Sequence, residues 1–483
     1  MKKAVLFFVF VWASAGFAAR AQTSKIWTLE ECIAYAGDNN IQLAQSRLNV
    51  ESAAVDFFQS KTAFAPNISG SLFAGYNFGQ RLDQYNLVFV NQRTTSANVG
   101  VNGNLLLFAG LQNINRLKQA KYALDANKLA VQQAENDLSL NLTNAYLQLL
   151  FSLERLSITQ GQISLTQNQL DRTRTLYEAG SATRGEMLNI EAQLTREMIN
   201  KVNAENSIQQ TKLTLIQLLN LPDNDLTIKK MDVELPADAE DILAKSPFEV
   251  YIQAAGIHPG IQSAEYNARS AEKGVAIAKG AFSPSLFLAA SYGTGYSSLS
   301  QRITDTMVTI TPIPPQVVRT YAGDTVAIPQ TPFVNVSFKR ETMPLFNQLK
   351  MNQNTQVGLS LSIPILNGLQ NHATLRRAKI QLQNSKLNVD LQRQNLRTLI
   401  QTAFNDARAG YITFQANKKN VEALGEAFQY AEEKYNAGSM NVLDFNNAKT
   451  QLNNAELETL VSRYEFIYRI KILEFYIGKP LKL

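Results

Sequence analysis

Cysteine is nearly missing from this 483-residue chain, where Cys32 stands alone. A disulfide framework is therefore excluded, and a lone cysteine is expected as a small buried or half-buried helix residue. Histidine is almost as rare: His258 and His372 have no paired ligand spacing, so no metal site is expected. No nucleophile elbow, phosphate-binding glycine loop or zinc-protease helix motif occurs, so neither catalytic residues nor a cofactor site are expected. Beyond residue 21 no apolar run is long enough to cross a bilayer as a helix. Basic residues are scattered instead of clustered, which argues against nucleic acid as a partner. Proline is absent between Pro66 and Pro222 and again between Pro364 and Pro480, leaving room for long unbroken helices.

The opening MKKAVLFFVFVWASAGFAARAQ reads as a secretory signal peptide over 1–21, with Lys2 and Lys3, an apolar stretch and Ala19-Arg20-Ala21 before the cut. Gln22 follows, so a lipid-anchoring cysteine is not expected there. The formal charge of +6 includes Lys2, Lys3 and Arg20, which leaves +3 after cleavage.

What the chain has instead is repetition. "VGVNGNLLLFAGLQNINRLKQAK" from Val99 aligns without a gap on "VGLSLSIPILNGLQNHATLRRAK" from Val357, an offset of 258. Tyr-x-Ala-Gly-Ser at Tyr177 recurs at Tyr435 with the same offset. "AFAPNISGSLFAGY" from Ala63 resembles "AFSPSLFLAASYGTGY" from Ala281 at an offset of 218, so about forty extra residues lie between Pro284 and Val357. The expected organisation is a first repeat over 22–221, a linker over 222–259 that belts the rods, and a second repeat over 260–483.

Inside the proline-free windows apolar residues step by seven. Leu117, Leu124, Val131, Leu138 and Ala145 form one series, and after a four-residue shift Leu142, Leu149, Leu156, Ile163, Leu170 and Tyr177 form another. Leu375 to Ala403 and Ile400 to Tyr435 repeat both. Sevenfold spacing with a stutter is the pattern of a coiled coil. Each long helix should cover roughly 65 residues, about 100 Å. Shorter helices at Leu29–Ala63 and Thr183–Asn220, with equivalents in the second half, complete an antiparallel bundle of continuous and interrupted rods.

Between the helices the period falls to two. Ile68, Leu72, Ala74, Tyr76 and Phe78 share a face opposite Asn67, Ser69, Ser71 and Asn77. Ala97–Leu107, Leu286–Tyr296 and Val357–Ile363 alternate in the same way. Strands of about ten residues, apolar on one side and small-polar on the other, fit a membrane barrel; a sandwich edge with one wet face also fits. Four strands cannot close a barrel and a membrane does not tolerate free sheet edges, so a barrel reading requires several copies.

The residues at this point resemble the TolC-like outer-membrane efflux and secretion channels. The resemblance runs over nearly all of the mature chain: the "WTLEECIAYAGDNNIQL" opening, the duplicated helix-strand-strand-helix plan, Pro364 before Asn367-Gly368, and the twin Tyr-x-x-Gly turns. It implies a mainly α fold with membrane β-structure, a homotrimer with a twelve-stranded barrel, and a periplasmic helical tunnel. It further implies a passive conduit in a tripartite efflux or type I secretion system, partnered by a periplasmic adaptor and an inner-membrane pump of RND or ABC type, with outer-membrane lipid around the barrel. The two turns would then form the periplasmic tip. Gly180 and Gly438 suit the left-handed residue that ends a helix, and Ser181, Thr183 or Asn441 can cap the next. In the family, acids here line the constriction, and Tyr177, Glu186, Tyr435 and Asp444 match those positions. Met440 stands where an arginine is common, so a closing salt bridge would need Arg184 as a substitute. Glu186 and Asp444 equally fit as acids that complement a helix N-terminus, worth about 0.3–1 kcal/mol each.

The segments Ser297–Asn354 and Gly79–Ser96 are expected as outer loops facing the exterior. The competing class is a periplasmic coiled-coil structural or adhesive protein without a pore. An exported enzyme finds no supporting constellation.

Overall fold

The computed structural model describes residues 26–83, 88–91, 93–222, 226–229, 235 and 239–483; the expected signal peptide lies outside them. Ten helices are described in chain order: α1 Leu29–Asn39, α2 Ile41–Thr62, α3 Gln112–Glu178, α4 Arg184–Leu219, α5 Ala239–Ala244, α6 Pro247–Ile257, α7 Pro259–Gly280, α8 Leu345–Met351, α9 Gln370–Asn436 and α10 Val442–Tyr476. The described strands are β1 Ile26–Trp27, β2 Asn67–Asn77, β3 Gln80–Asp83, β4 Val88–Asn91, β5 Thr94–Ala109, β6 Thr227–Ile228, β7 Ser285–Ser297, β8 Gln301–Thr311, β9 Gln316–Arg319, β10 Thr325–Ile328, β11 Phe333–Thr342 and β12 Asn354–Ser362.

The duplication is visible element by element. α6 and α7 start 218 residues after α1 and α2, while α9 and α10 start 258 after α3 and α4. The long helices α3 and α9 have 67 residues each, about 100 Å of unbroken rod. The stretch Leu29–Ala63, expected as one helix, is two. Asn40 has extended backbone, and its side-chain oxygen accepts from the amides of Gln42 and Leu43, which caps α2. α1 and α6 open on equivalent capping boxes, Thr28 with Glu31 and Ser246 with Glu249.

Two compact units are present, and each draws on both halves of the chain. One holds residues 26–54 with the described residues of 122–268 and Asn384–Leu483; the other holds the described residues of 55–121 with Arg269–Gln383. The first unit is mainly helical. Leu142, Ala145 and Tyr146 of α3 are buried, as are their counterparts Ile400, Ala403 and Phe404 of α9. Leu142, Ala145, Ile400 and Ala403 are positions of the sevenfold series, and their burial places packing seams there; Tyr146 and Phe404 lie one residue beyond Ala145 and Ala403. The Tyr146 hydroxyl donates to the Trp27 carbonyl (3.1 Å) or the Lys229 carbonyl (3.4 Å), tying α3 to the parallel pair β1–β6. Burial pushes that phenol above its ordinary value. Cys32 is fully buried in the same core, as a small apolar residue would be.

The second unit carries an antiparallel four-stranded sheet in the order β12-β7-β5-β2, in which β5–β7 joins the two repeats. Ser69, Asn102, Ser291 and Gln356 lie opposite one another and form a polar row across all four strands. On the other face Leu105, Leu288 and Leu359 form an apolar row. Each strand-to-helix junction carries two consecutive left-handed residues, Gly110-Leu111 and Gly368-Leu369, with φ of 58°, 61°, 60° and 62°. Leucine pays a steric penalty there, so the sharp turn is imposed by the fold at both sites.

The expected loop Ser297–Asn354 is mostly ordered β-structure. β8 and β11 pair over ten residues, β9 and β10 pair beyond them, and α8 follows. Its alternation of β-branched residues with threonine and charge supports strand pairing, whereas proline content alone suggested a loop. Gly79–Ser96 likewise contains the short hairpin β3–β4.

Candidate functional site

The site begins with how a 67-residue helix is made to stop. At the end of α3, Gly180 takes φ of 78°, the Gly180 amide donates to the Tyr177 carbonyl (2.9 Å), and the Ser181 amide donates to the Leu176 carbonyl (2.8 Å). At the end of α9, Gly438 takes φ of 73°, its amide donates to the Tyr435 carbonyl (3.0 Å), and Ser439 donates to the Lys434 carbonyl (2.9 Å). These are paired Schellman closures, and they satisfy carbonyls that a helix end leaves free. A side-chain carbon added at either glycine would meet nothing within 4 Å, so backbone conformation alone selects the residue.

Two or three residues later the return helices begin. Thr183, not Ser181, caps α4: its hydroxyl accepts from the Glu186 amide (3.3 Å), and the Thr183 amide donates to the Glu186 carboxylate (2.8 Å). Asn441 caps α10 through the Asp444 amide (2.8 Å), and its side-chain amide donates to the Asp444 carboxylate (2.8 Å). Both acids therefore sit at the third position of a helix, where a carboxylate complements the N-terminal dipole. Asp444 is exposed and Glu186 partly so.

The two tips share one core. Leu170, Ile190 and Leu194 of the first repeat pack with Val442 of the second, with Ile163, Met187 and Tyr435 against them. The Tyr435 ring stacks on Phe445 at 4.6 Å, and Phe428 joins at 5.5 Å. Tyr177 is exposed. Among the described residues neither tyrosine hydroxyl has a partner within the chain, and Arg184 makes no ion pair. Met440 is half-buried. The cationic tie comes from a residue that no sequence pattern singles out: Arg172 of α3 donates to the side-chain oxygen of Asn436, and at 3.5 Å to its carbonyl.

A second cluster without a sequence signature lies between α3, α4 and α10. Lys449 and Glu197 are almost fully buried, and Lys449 Nζ is 3.3 Å from a Glu197 carboxylate oxygen. The Thr166 hydroxyl lies between them, accepting from Lys449 and donating to Glu197, while Gln193 donates to the same carboxylate (3.2 Å). Burial pulls the Lys449 ammonium below its ordinary value, and Glu197 partly restores it. Sequence could have flagged this cluster only as charged residues on otherwise packed faces.

In the sheet unit, a space of about 1150 Å³ is lined by Asn67, Ser69, Asn102, Asn104, Ser291 and Gln356 among others. The small-polar face thus borders the open cavity, and Leu72, Val357 and Leu361 are exposed on the opposite side. Among the described residues no cluster of histidine, cysteine and acids could hold a metal ion, and no helix is long and apolar enough to cross a membrane.

The family model for outer membrane efflux proteins matches residues 33–221 and 250–478. The chain is 23% identical over 454 residues to the outer membrane efflux protein BepC of Brucella suis, covering 94% of this chain and 86% of that one. It is 21% identical to the outer membrane protein TolC of Escherichia coli, covering 94% and 82%. Among solved structures it superposes on the outer membrane protein VceC of Vibrio cholerae with a TM-score of 0.74 at 15% identity, covering 94% of this chain and 97% of that one.

Proposed function

The chain belongs to the outer membrane efflux protein family, and from that membership we propose a trimeric, passive conduit closed at its helical tips. It is an outer-membrane efflux channel. The observation that carries the trimer is the four-stranded sheet whose outer strands, β12 and β2, each keep an unpaired edge among the described residues. Unpaired backbone is costly in lipid, and about eight strands is the smallest membrane barrel. Three copies give twelve strands, with the apolar row toward lipid and the asparagine-serine row toward a wet lumen.

In this reading the helices wall a periplasmic tunnel, and six tips, two from each chain, surround a threefold axis at its far end. Tyr177, Gly180, Arg184, Glu186, Tyr435, Gly438, Met440 and Asp444 form the tip, with the carboxylates as its polar rim. The supporting feature is the pair of matching Schellman turns, which present equivalent surfaces from both repeats. Movement of solutes draws energy from a partner, so a periplasmic adaptor and an inner-membrane pump complete the system, and the chain itself works without enzymatic activity. Native mass measurement of detergent-purified protein should give three chains. A stable monomer would refute the assembly, and the absence of conductance in planar bilayers would refute the conduit.

A further inference from the structure

The one large departure from the duplication is the insertion between β7 and β12. Its ribbon β8–β11 has one predominantly apolar face, on which Arg340 is the one charge. Cross-strand pairs Val308–Val336 and Ile310–Val334 share a face with Phe338, and the register shift between Lys339 and Arg340 brings Ile303 onto it. The other face carries Arg302, Asp305, Asn335, Lys339 and Glu341 beside Met307 and Phe333, with Lys339 and Glu341 ion-paired at 3.5 Å. All six apolar residues are open, from Val336 at 42% to Ile310 at 60% exposure. The base of the ribbon is fixed: fully buried Gln348 accepts from the Ser297 amide (2.9 Å) and donates to the carbonyls of Ser297 (3.0 Å) and Met343 (2.8 Å). A rooted two-stranded ribbon with an uncovered apolar face is not a stable end state in water.

We propose that this face is covered by a second copy of the chain, through the neighbour's β3–β4 hairpin, so that each seam of the assembly carries a collar outside the barrel. The inference rests on the trimeric reading and adds a contact to it. The ribbon leaves the sheet beside edge strand β12, and β3–β4 leaves it at the same end beside the opposite edge strand, β2. Pairing β12 of one copy with β2 of the next sets the two hairpins side by side at every seam. The short hairpin offers a matching knob there: Leu82 and Phe89 are direct cross-strand partners, 40% and 74% exposed. Lipid is the poorer cover, because a two-stranded ribbon leaves two unpaired backbone edges and hydrocarbon does not satisfy them.

The test uses disulfide trapping, which the chain suits because its one natural cysteine, Cys32, is buried. Phe89→Cys is combined in turn with Val308→Cys, Val336→Cys and Phe338→Cys, and membranes are oxidised and run on non-reducing gels. At least one pair should join chains into reducible multimers at ten times the yield of either single variant or more. Native mass is measured on the same samples. Three chains with no cross-link from any pair overturns the collar and leaves the trimer standing; a monomer overturns both. Ribbon cysteines that react only with a lipid-soluble maleimide, in an intact trimer, would assign the face to lipid and overturn the proposal.

Discussion

Replacing Lys449 with methionine removes one charge from a buried pair and keeps the side-chain length. At 3.3 Å and an effective dielectric constant of about 20, the attraction between Lys449 and Glu197 is about 5 kcal/mol. Desolvation costs several kcal/mol for each ion, so the intact pair contributes little net stability. The single variant is different: Glu197 stays buried, with only the Thr166 hydroxyl and the Gln193 amide to satisfy it. Lys449→Met should therefore cost about 3–5 kcal/mol, while Lys449→Met with Glu197→Leu should be neutral or stabilising by up to about 4 kcal/mol. Denaturant midpoints of the purified assemblies measure both.

A pH series tests the same pair from another side. Burial lowers the folded pKa of Lys449, whereas the unfolded chain holds that proton up to the ordinary 10.5. Over the interval below 10.5 the unfolded state binds more protons, so stability rises with pH. Lys449→Met lacks the group, and the wild-type advantage over it should widen as pH is raised toward 10.5. If the single variant is as mild as the double and the gap ignores pH, the pair is solvated and the buried-charge reasoning is wrong.

The twin strand-to-helix junctions give a matched comparison. Gly368→Ala meets nothing within 4 Å and should lose only the left-handed penalty, about 1–2 kcal/mol. Gly110→Ala would also place its new carbon 2.4 Å from the Gly280 carbonyl, so its unfolding midpoint should fall much further; equal losses would show that the junction yields freely. At the tips, Glu186→Ala with Asp444→Ala should cost about 0.3–1 kcal/mol per helix and lower cation preference in planar-bilayer recordings. Unchanged selectivity would make both acids caps alone.

The helices and the membrane strands were legible because each is governed by a strong period that the duplication wrote twice. Tyr177, Gly180 and Ser181 and their counterparts announced the helix-ending turns for a similar reason: ending a helix needs a left-handed residue, and glycine marks it in any context. The ribbon was less legible. Residues 301–342 have no full copy in the first half, and their prolines, which lie between the strands, suggested a loop where threonine and valine build paired backbone. The break at Asn40 was hidden because a side-chain cap two residues inside an apolar pattern hardly disturbs its period.

The polar clusters were hidden for a deeper reason. Arg172, Glu197 and Lys449 come from segments far apart in sequence, and each alone reads as a charge on a solvated helix face. Only packing places Lys449 and Glu197 in the dry interior and Arg172 beside Asn436. The same limit applies to Glu186 and Asp444, where capping and lining a constriction ask for the same residue at the same position. Each capping bond occupies one oxygen of the carboxylate, Glu186 Oε2 and Asp444 Oδ2, so capping and lining are compatible roles. What would separate them is whether further copies of these turns gather around an axis in the proposed trimer, a property of the assembly that no single chain's hydrogen bonds contain. Selectivity of the double variant therefore decides a question that its stability cannot.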